Sequence, residues 1–197
     1  GSGGEATDSS VLTIQRSVAP AGKPRLTKVS PRSGTRAGGT RITLTGTGFQ
    51  QGMQIRIAGK QCRKVAVSSG TRAKCTTPSG KPGARNVLVV TAQGKSNVKK
   101  FVYLRPPQAV RINPPNGPVV GGTKIAIIGR NLGVGTKVTV AGRNCTELQV
   151  NSAGTRLTCK VPKGKKVGKA PVVVTTKGGV SRGLSFTYTP GGFCLKS

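Results

Sequence analysis

The chain repeats itself. Residues 29–49 (VSPRSGTRAGGTRITLTGTGF) align with 112–132 (INPPNGPVVGGTKIAIIGRNL) at an offset of 83. That offset superposes Pro31 on Pro114, Gly34 on Gly117, Gly38-Gly39-Thr40 on Gly121-Gly122-Thr123, and Gly46 on Gly129. Further along, IAGKQC (57–62) meets VAGRNC (140–145), which brings Cys62 onto Cys145. Cys75 meets Cys159 at an offset of 84, and Phe101 and Tyr103 meet Phe186 and Tyr188 at 85. So many matches in one order mark a duplicated unit of about 80 residues, the drift of two falling in loops. The expected division is a tail over 1–23, domain one over 24–105, domain two over 106–190, and a tail over 191–197. The junction Leu104-Arg105-Pro106-Pro107 is short and proline-stiffened, which restricts the angle between the units. In the first tail, Val11-Leu12-Thr13-Ile14 is a candidate short strand for pairing with a neighbouring subunit.

Each unit reads as β. Ile42-Thr43-Leu44, Ile55-Arg56-Ile57, Val87-Leu88-Val89-Val90, Ile125-Ala126-Ile127-Ile128 and Val172-Val173-Val174 are short β-branched runs bounded by Gly, Pro or Ser. No segment keeps apolar residues at helical spacing long enough for a helix. Ala-Gly-Lys (58–60) and Ala-Gly-Arg (141–143) have the composition of tight hairpin turns, with Gly supplying the positive φ. Six or seven strands per unit predicts an all-β protein of two small sandwiches.

The motif opening each unit is hydrophobic-x-Pro-x-x-Gly-x-x-x-Gly-Gly-Thr, then a strand, and Gly-x-x-Phe or Gly-x-x-Leu. A hairpin with Gly then Cys, a second Cys in the next strand and a closing Phe-x-Tyr follow. This pattern resembles the IPT/TIG domain, the immunoglobulin-like fold of plexins, growth-factor-receptor-like ectodomains and some transcription factors. The resemblance occurs twice, covers about 165 of the 197 residues, and implies two tandem immunoglobulin-like (E-set) sandwiches. It implies no single function, because such domains serve as spacers, adhesion modules and dimerisation modules.

The charge is lopsided: 33 Lys or Arg stand against 3 Asp or Glu with no His, a net charge of +30. Two of the acids, Glu5 and Asp8, fall in the Gly/Ser-rich tail, leaving Glu147 within a domain. General acid–base and nucleophilic catalysis draw on His, Asp or Glu, so catalysis is not expected. An oxygen-rich Ca²⁺ or Mg²⁺ cage lacks its ligands, and no cofactor is expected. Gly46-Thr47-Gly48 and Gly133-Val134-Gly135-Thr136-Lys137 match neither phosphate-loop motif and precede no helix, so they read as turns. No stretch is long and apolar enough for a membrane span, and membrane insertion is not expected. The chain opens Gly1-Ser2-Gly3-Gly4 without Met, as a processed product or a fragment would, so the missing signal peptide decides nothing about export.

Cys62 with Cys75, and Cys145 with Cys159, close loops of 13 and 14 residues across adjacent strands. A metal or redox site is one reading, but zinc sites favour C-x₂-C spacings with a second pair nearby. The reading adopted is two structural disulfides, each contributing about 3 kcal/mol through loop closure. Disulfides imply an oxidising compartment, secreted or at the cell surface. Extracellular IPT/TIG relatives carry a comparable bridge, which points the same way. Cys194 has no counterpart in the repeat and is either a free thiol or paired between chains. Asn144-Cys145-Thr146 fits the glycosylation sequon, which makes Asn144 a candidate acceptor.

An excess of cations on both folded units predicts contact with a polyanion. The bland account is a basic proteome or saline surroundings that screen the repulsion. Lys60, Arg63, Lys64, Arg72 and Lys74 flank the first cysteine pair and are expected to line one face. Lys160, Lys163, Lys165, Lys166 and Lys169 form the densest local cluster, similar to a heparin-type basic motif without its spacing. Nucleic acid is expected to bind nonspecifically in vitro, but there is no helix for the major groove and few aromatics are free for stacking. The expected partners are therefore acidic polysaccharides or acidic proteins outside the cell, with self-assembly alongside other surface proteins into a surface or filament. The alternatives are a passive spacer from a longer receptor or adhesin, or an intracellular or viral protein that packs nucleic acid.

Overall fold

A computed structural model describes residues 22–133 and 135–191. The Val11–Ile14 segment, Glu5, Asp8 and Cys194 lie outside the described residues. Domain one contains β1 (Arg25–Ser30), β2 (Ser33–Thr35), β3 (Arg41–Thr47), β4 (Gln54–Ile57), β5 (Lys60–Gln61), β6 (Arg63–Ser69), β7 (Arg72–Thr76), β8 (Gly83–Thr91), β9 (Gly94–Lys95) and β10 (Lys99–Leu104). Domain two contains β11 (Gln108–Asn113), β12 (Asn116–Pro118), β13 (Lys124–Arg130), β14 (Lys137–Val140), β15 (Arg143–Asn144), β16 (Thr146–Val150), β17 (Arg156–Lys160), β18 (Gly168–Thr176) and β19 (Gly179–Thr189). The described residues hold no helix.

The two domains share one topology. Domain one stacks a sheet of order β1-β3-β7-β6 on a second of order β2-β10-β8-β4-β5, with β9 on β8. Domain two repeats it as β11-β13-β17-β16 on β12-β19-β18-β14-β15. The short strands β2 and β12 run parallel to β10 and β19, and every other pairing is antiparallel. The strand count exceeds the six or seven expected because β2, β5, β9, β12 and β15 are two- or three-residue pieces at the sheet edges.

Period-two alternation builds each core. Strand β3 turns Ile42 and Leu44 inward and leaves Arg41 outside, and β13 does the same with Ile125, Ile127 and Lys124. Each large aliphatic buried this way contributes about 1.5–3 kcal/mol. Opposite them pack Ile55, Ile57, Val87, Val89 and Phe101 in one domain, and Val138, Val140, Val172, Val174 and Phe186 in the other. Phe101 meets Tyr103 edge to face at 5.1 Å, and Phe186 meets Tyr188 likewise at 5.2 Å.

The two tyrosines fasten a loop. The Tyr103 hydroxyl donates to the Pro78 carbonyl at 2.7 Å, and the Tyr188 hydroxyl donates to that of Pro162 at 2.8 Å. The adjoining glycines are there because the ring fills the space. A Cβ on Gly80 would stand 2.4 Å from the Tyr103 ring, and one on Gly164 would stand 2.9 Å from Tyr188. In the β4–β5 hairpin both central residues take positive φ, Ala58 at 49° and Gly59 at 80°, matching a type I′ turn. Ala141 and Gly142 repeat this, so Ala carries half of a geometry that the sequence assigned to Gly alone. At the junction, the Asn131 side-chain amide donates to the Pro106 carbonyl at 3.0 Å.

Candidate functional site

The outer face of the β1-β3-β7-β6 sheet is paved with cations. Strand register sets them in rows: Lys28 beside Thr45 and Arg72, Ser30 beside Thr43 and Lys74, and Arg41 beside Thr76 and Arg63. Lys64 lies in the bulge between Arg63 and Ala66. No acid shares this face, and Lys28, Arg41, Arg63, Lys64, Arg72 and Lys74 are all exposed. Of the residues expected in domain one, Arg63, Lys64, Arg72 and Lys74 come together here. Lys60 does not: it sits on β5 in the other sheet, and its ammonium donates to the Ser79 carbonyl at 3.3 Å. Lys28 and Arg41 complete the face, and local charge density missed both because they are distant in sequence. The repeat held a signal for them, since Arg41 aligns with Lys124 and Lys28 with Arg111.

Domain two presents a weaker version of the same face. Arg111, Lys124, Arg156 and Lys160 occupy it, together with Glu147 in the bulge of β16. The Lys160 ammonium donates to Glu147 Oε1 at 3.3 Å, and Lys124 Nζ lies 4.0 Å from Glu147 Oε2. The pairs are exposed, so each is worth only about 0–1 kcal/mol of stability. The 160–169 stretch is split by the fold. Lys160 points across its sheet to Glu147, Lys163, Lys165 and Lys166 lie on the loop 161–167, and Lys169 sits on β18 in the other sheet. The first half of that loop is tied down: Val161 exchanges backbone hydrogen bonds with Gly122 and Thr123, Tyr188 holds Pro162, Gly164 N–H donates to the Val119 carbonyl, and Arg143 donates to the Lys163 carbonyl at 3.0 Å.

Each cysteine pair spans the passage between the two sheets of its domain. Cys62 follows β5 and faces Cys75 on β7, while Cys145 follows β15 and faces Cys159 on β17. Within each pair the two side chains lie in direct contact. The contact with Cys62, then burial, pushes the Cys75 thiol up, and the contact with Cys145, then burial, does the same to Cys159. The hydrogen bond from Cys159 holds the Cys145 thiol below its ordinary value. Burial, followed by the charge of Cys62 and Cys75, raises the Tyr103 phenol to about 12. Among the described residues no three His, Cys, Asp or Glu converge as a metal site would require. Asn144 is exposed on β15, at the open end of a hairpin.

Two sandwiches of identical strand order, each closed by a Phe-x-Tyr pair, define a tandem immunoglobulin-like β-sandwich protein. The chain belongs to the IPT/TIG domain family, whose model matches residues 24–103 and 107–188. It is 28% identical to plexin-A3 of Rattus norvegicus over 181 residues, covering 84% of this chain and 10% of that protein. It is 33% identical to plexin-2 of Caenorhabditis elegans over 163 residues (77% and 9%), and 32% identical to fibrocystin-L of Mus musculus over 173 residues (84% and 4%). The chain thus spans a tenth or less of the curated relatives it matches. Among solved structures it is similar to the full extracellular region of plexin A4, domains 1 to 10, with a TM-score of 0.59 and 22% identity. That match covers 95% of this chain and 17% of the other, and it speaks to the fold.

Proposed function

We propose that this chain is a non-enzymatic module, secreted or displayed at the cell surface, that binds acidic polymers and builds into a surface or filamentous assembly. One observation carries the reading: an entire sheet face of domain one presents Lys28, Arg41, Arg63, Lys64, Arg72 and Lys74 with no acid among them. Single-sign faces repel themselves and are unfavourable for the compact state, so a counter-charged partner is the physical reason to keep one. The likeness to plexin extracellular regions supports a place outside the cell. The facing cysteines support it too, since an oxidising compartment would join each pair. Acidic polysaccharides, uronic or sulfated, fit best, with acidic proteins second.

Retention of the full chain on an immobilised acidic glycan tests this reading. Binding through about 6–10 ionic contacts should weaken roughly 10³–10⁵-fold between about 50 and 200 mM salt. A second reading, a passive spacer, draws on the small share of its relatives that the chain spans. A spacer would show no saturable glycan binding at any salt, and a nucleic-acid packer would prefer duplex over glycan at matched charge.

A further inference from the structure

Domain two's one acid stands where domain one carries a lysine. Lys64 and Glu147 are 83 residues apart, and each lies in the bulge of its edge strand. Both hold a left-handed backbone, with φ of 50° and 52°. Such a conformation is unfavourable for any residue with a Cβ, and its recurrence fixes the direction of one side chain in both copies. In domain two that side chain is a carboxylate between Lys124 and Lys160, closing a recess of about 90 Å³ that Gln149 and Thr158 also line. In domain one the matching recess measures about 190 Å³ and is lined by Arg41, Lys64, Ala66, Lys74, Cys75 and Thr76. Three cations converge on it, and no acid answers them.

We infer that the domain-one recess is a carboxylate-binding site, taking a uronate group of an acidic glycan, and that Glu147 is the built-in occupant of its twin. Three like charges around one recess favour the entry of an anion. Domain two shows which anion the scaffold accommodates, a carboxylate that accepts a hydrogen bond from Lys160 and has Lys124 beside it. The surrounding face of Ser30, Thr43, Thr45, Ala66, Ser69 and Thr76 has no aromatic or large aliphatic side chain. Protein interfaces concentrate aromatics and Met at their centres, so this surface suits a polyhydroxylated chain better than an acidic protein. The inference rests on the polyanion reading above and narrows it to one site.

The test is calorimetric titration of the full chain with an oligogalacturonate, which offers carboxylates and no sulfate. Lys64→Glu is compared with Lys95→Glu, which makes the same charge change on β9 of the other sheet. Lys64→Glu should weaken binding about tenfold or more, the equivalent of one lost charge-assisted hydrogen bond, while Lys95→Glu costs less than about threefold. Glu147→Lys should open the second recess and raise the number of bound oligomers. Lys64→Gln, with circular dichroism, guards against misfolding and should lie between wild type and Lys64→Glu. Equal losses for Lys64→Glu and Lys95→Glu would overturn the site while leaving general polyanion binding intact. Absence of binding by the wild-type chain at low salt would overturn both. Tighter binding of a polyglutamate peptide than of oligogalacturonate, with the same Lys64 dependence, would overturn the glycan assignment.

Discussion

Replacing Tyr103 with Phe should make the stability difference between variant and wild type depend on pH, and reverse its sign. The Tyr103 phenol ordinarily ionises near 10.0 and is pushed up to about 12, first by burial and then by the charge of Cys62 and Cys75. A raised pKa means the folded chain keeps a proton that the unfolded chain releases. Its contribution is complete below the unfolded value and is lost as pH climbs through the folded one. Two pKa units amount to about 2.7 kcal/mol when the loss is complete. At neutral pH the Phe variant leaves the Pro78 carbonyl without its donor, which costs about 1 kcal/mol. Wild type should therefore be the more stable protein at pH ~7, and the curves should cross near pH ~10.7, where ionisation has taken back that advantage. Urea unfolding in reducing buffer across this range measures it. A difference that stays constant from neutral to strongly basic pH would refute the burial argument for this hydroxyl.

Gly46→Ala should cost about 3 kcal/mol or more, because its Cβ would stand 2.0 Å from the Arg25 carbonyl oxygen and force β1 off β3. Gly52→Ala, with open space but a φ of 77°, should cost only about 1–2 kcal/mol, and urea midpoints of the two variants decide. Mass spectrometry of unreduced native material should find Cys62 joined to Cys75 and Cys145 to Cys159, with reduction removing about 3 kcal/mol per bridge. Alkylation of all four of these cysteines in unreduced material would refute that. Glu147→Gln should shift thermal stability by less than about 1 kcal/mol while strengthening retention on an acidic glycan, and a larger loss of stability would show that its ion pairs do more than surface pairs do.

The strands and the duplication could be read from the sequence because β-branched runs such as Ile42-Thr43-Leu44 end at glycines whose positions recur. The closing Phe-x-Tyr was legible for the same reason, and both rings prove fully buried. The cationic face was only half legible. Charge density along the chain groups residues that are neighbours in sequence, whereas a sheet groups residues by register. Charge density therefore groups Lys60 with Lys64, though a change of sheet separates them at Cys62, and passes over Arg41, though its strand lies one removed from β6. The short edge strands were illegible because two residues carry no periodicity. The contrast between Lys64 and Glu147 was available from the offset alone, yet it acquires meaning only when the recess beneath them is seen.

The fastening of loop 161–167 by Tyr188, Gly164 and Arg143 bears on what capture of a ligand demands. Lysines carried on a slack segment would oblige the backbone to surrender its freedom on contact, at about 1–2 kcal/mol per residue. From Val161 to Gly164 the main chain has already given up that freedom during folding, so at Lys163 only the butylammonium arm remains to be stilled. On the polyanion reading proposed above, a long anion would engage this segment without remodelling the platform beneath it, so grip should be quick, shallow and readily released.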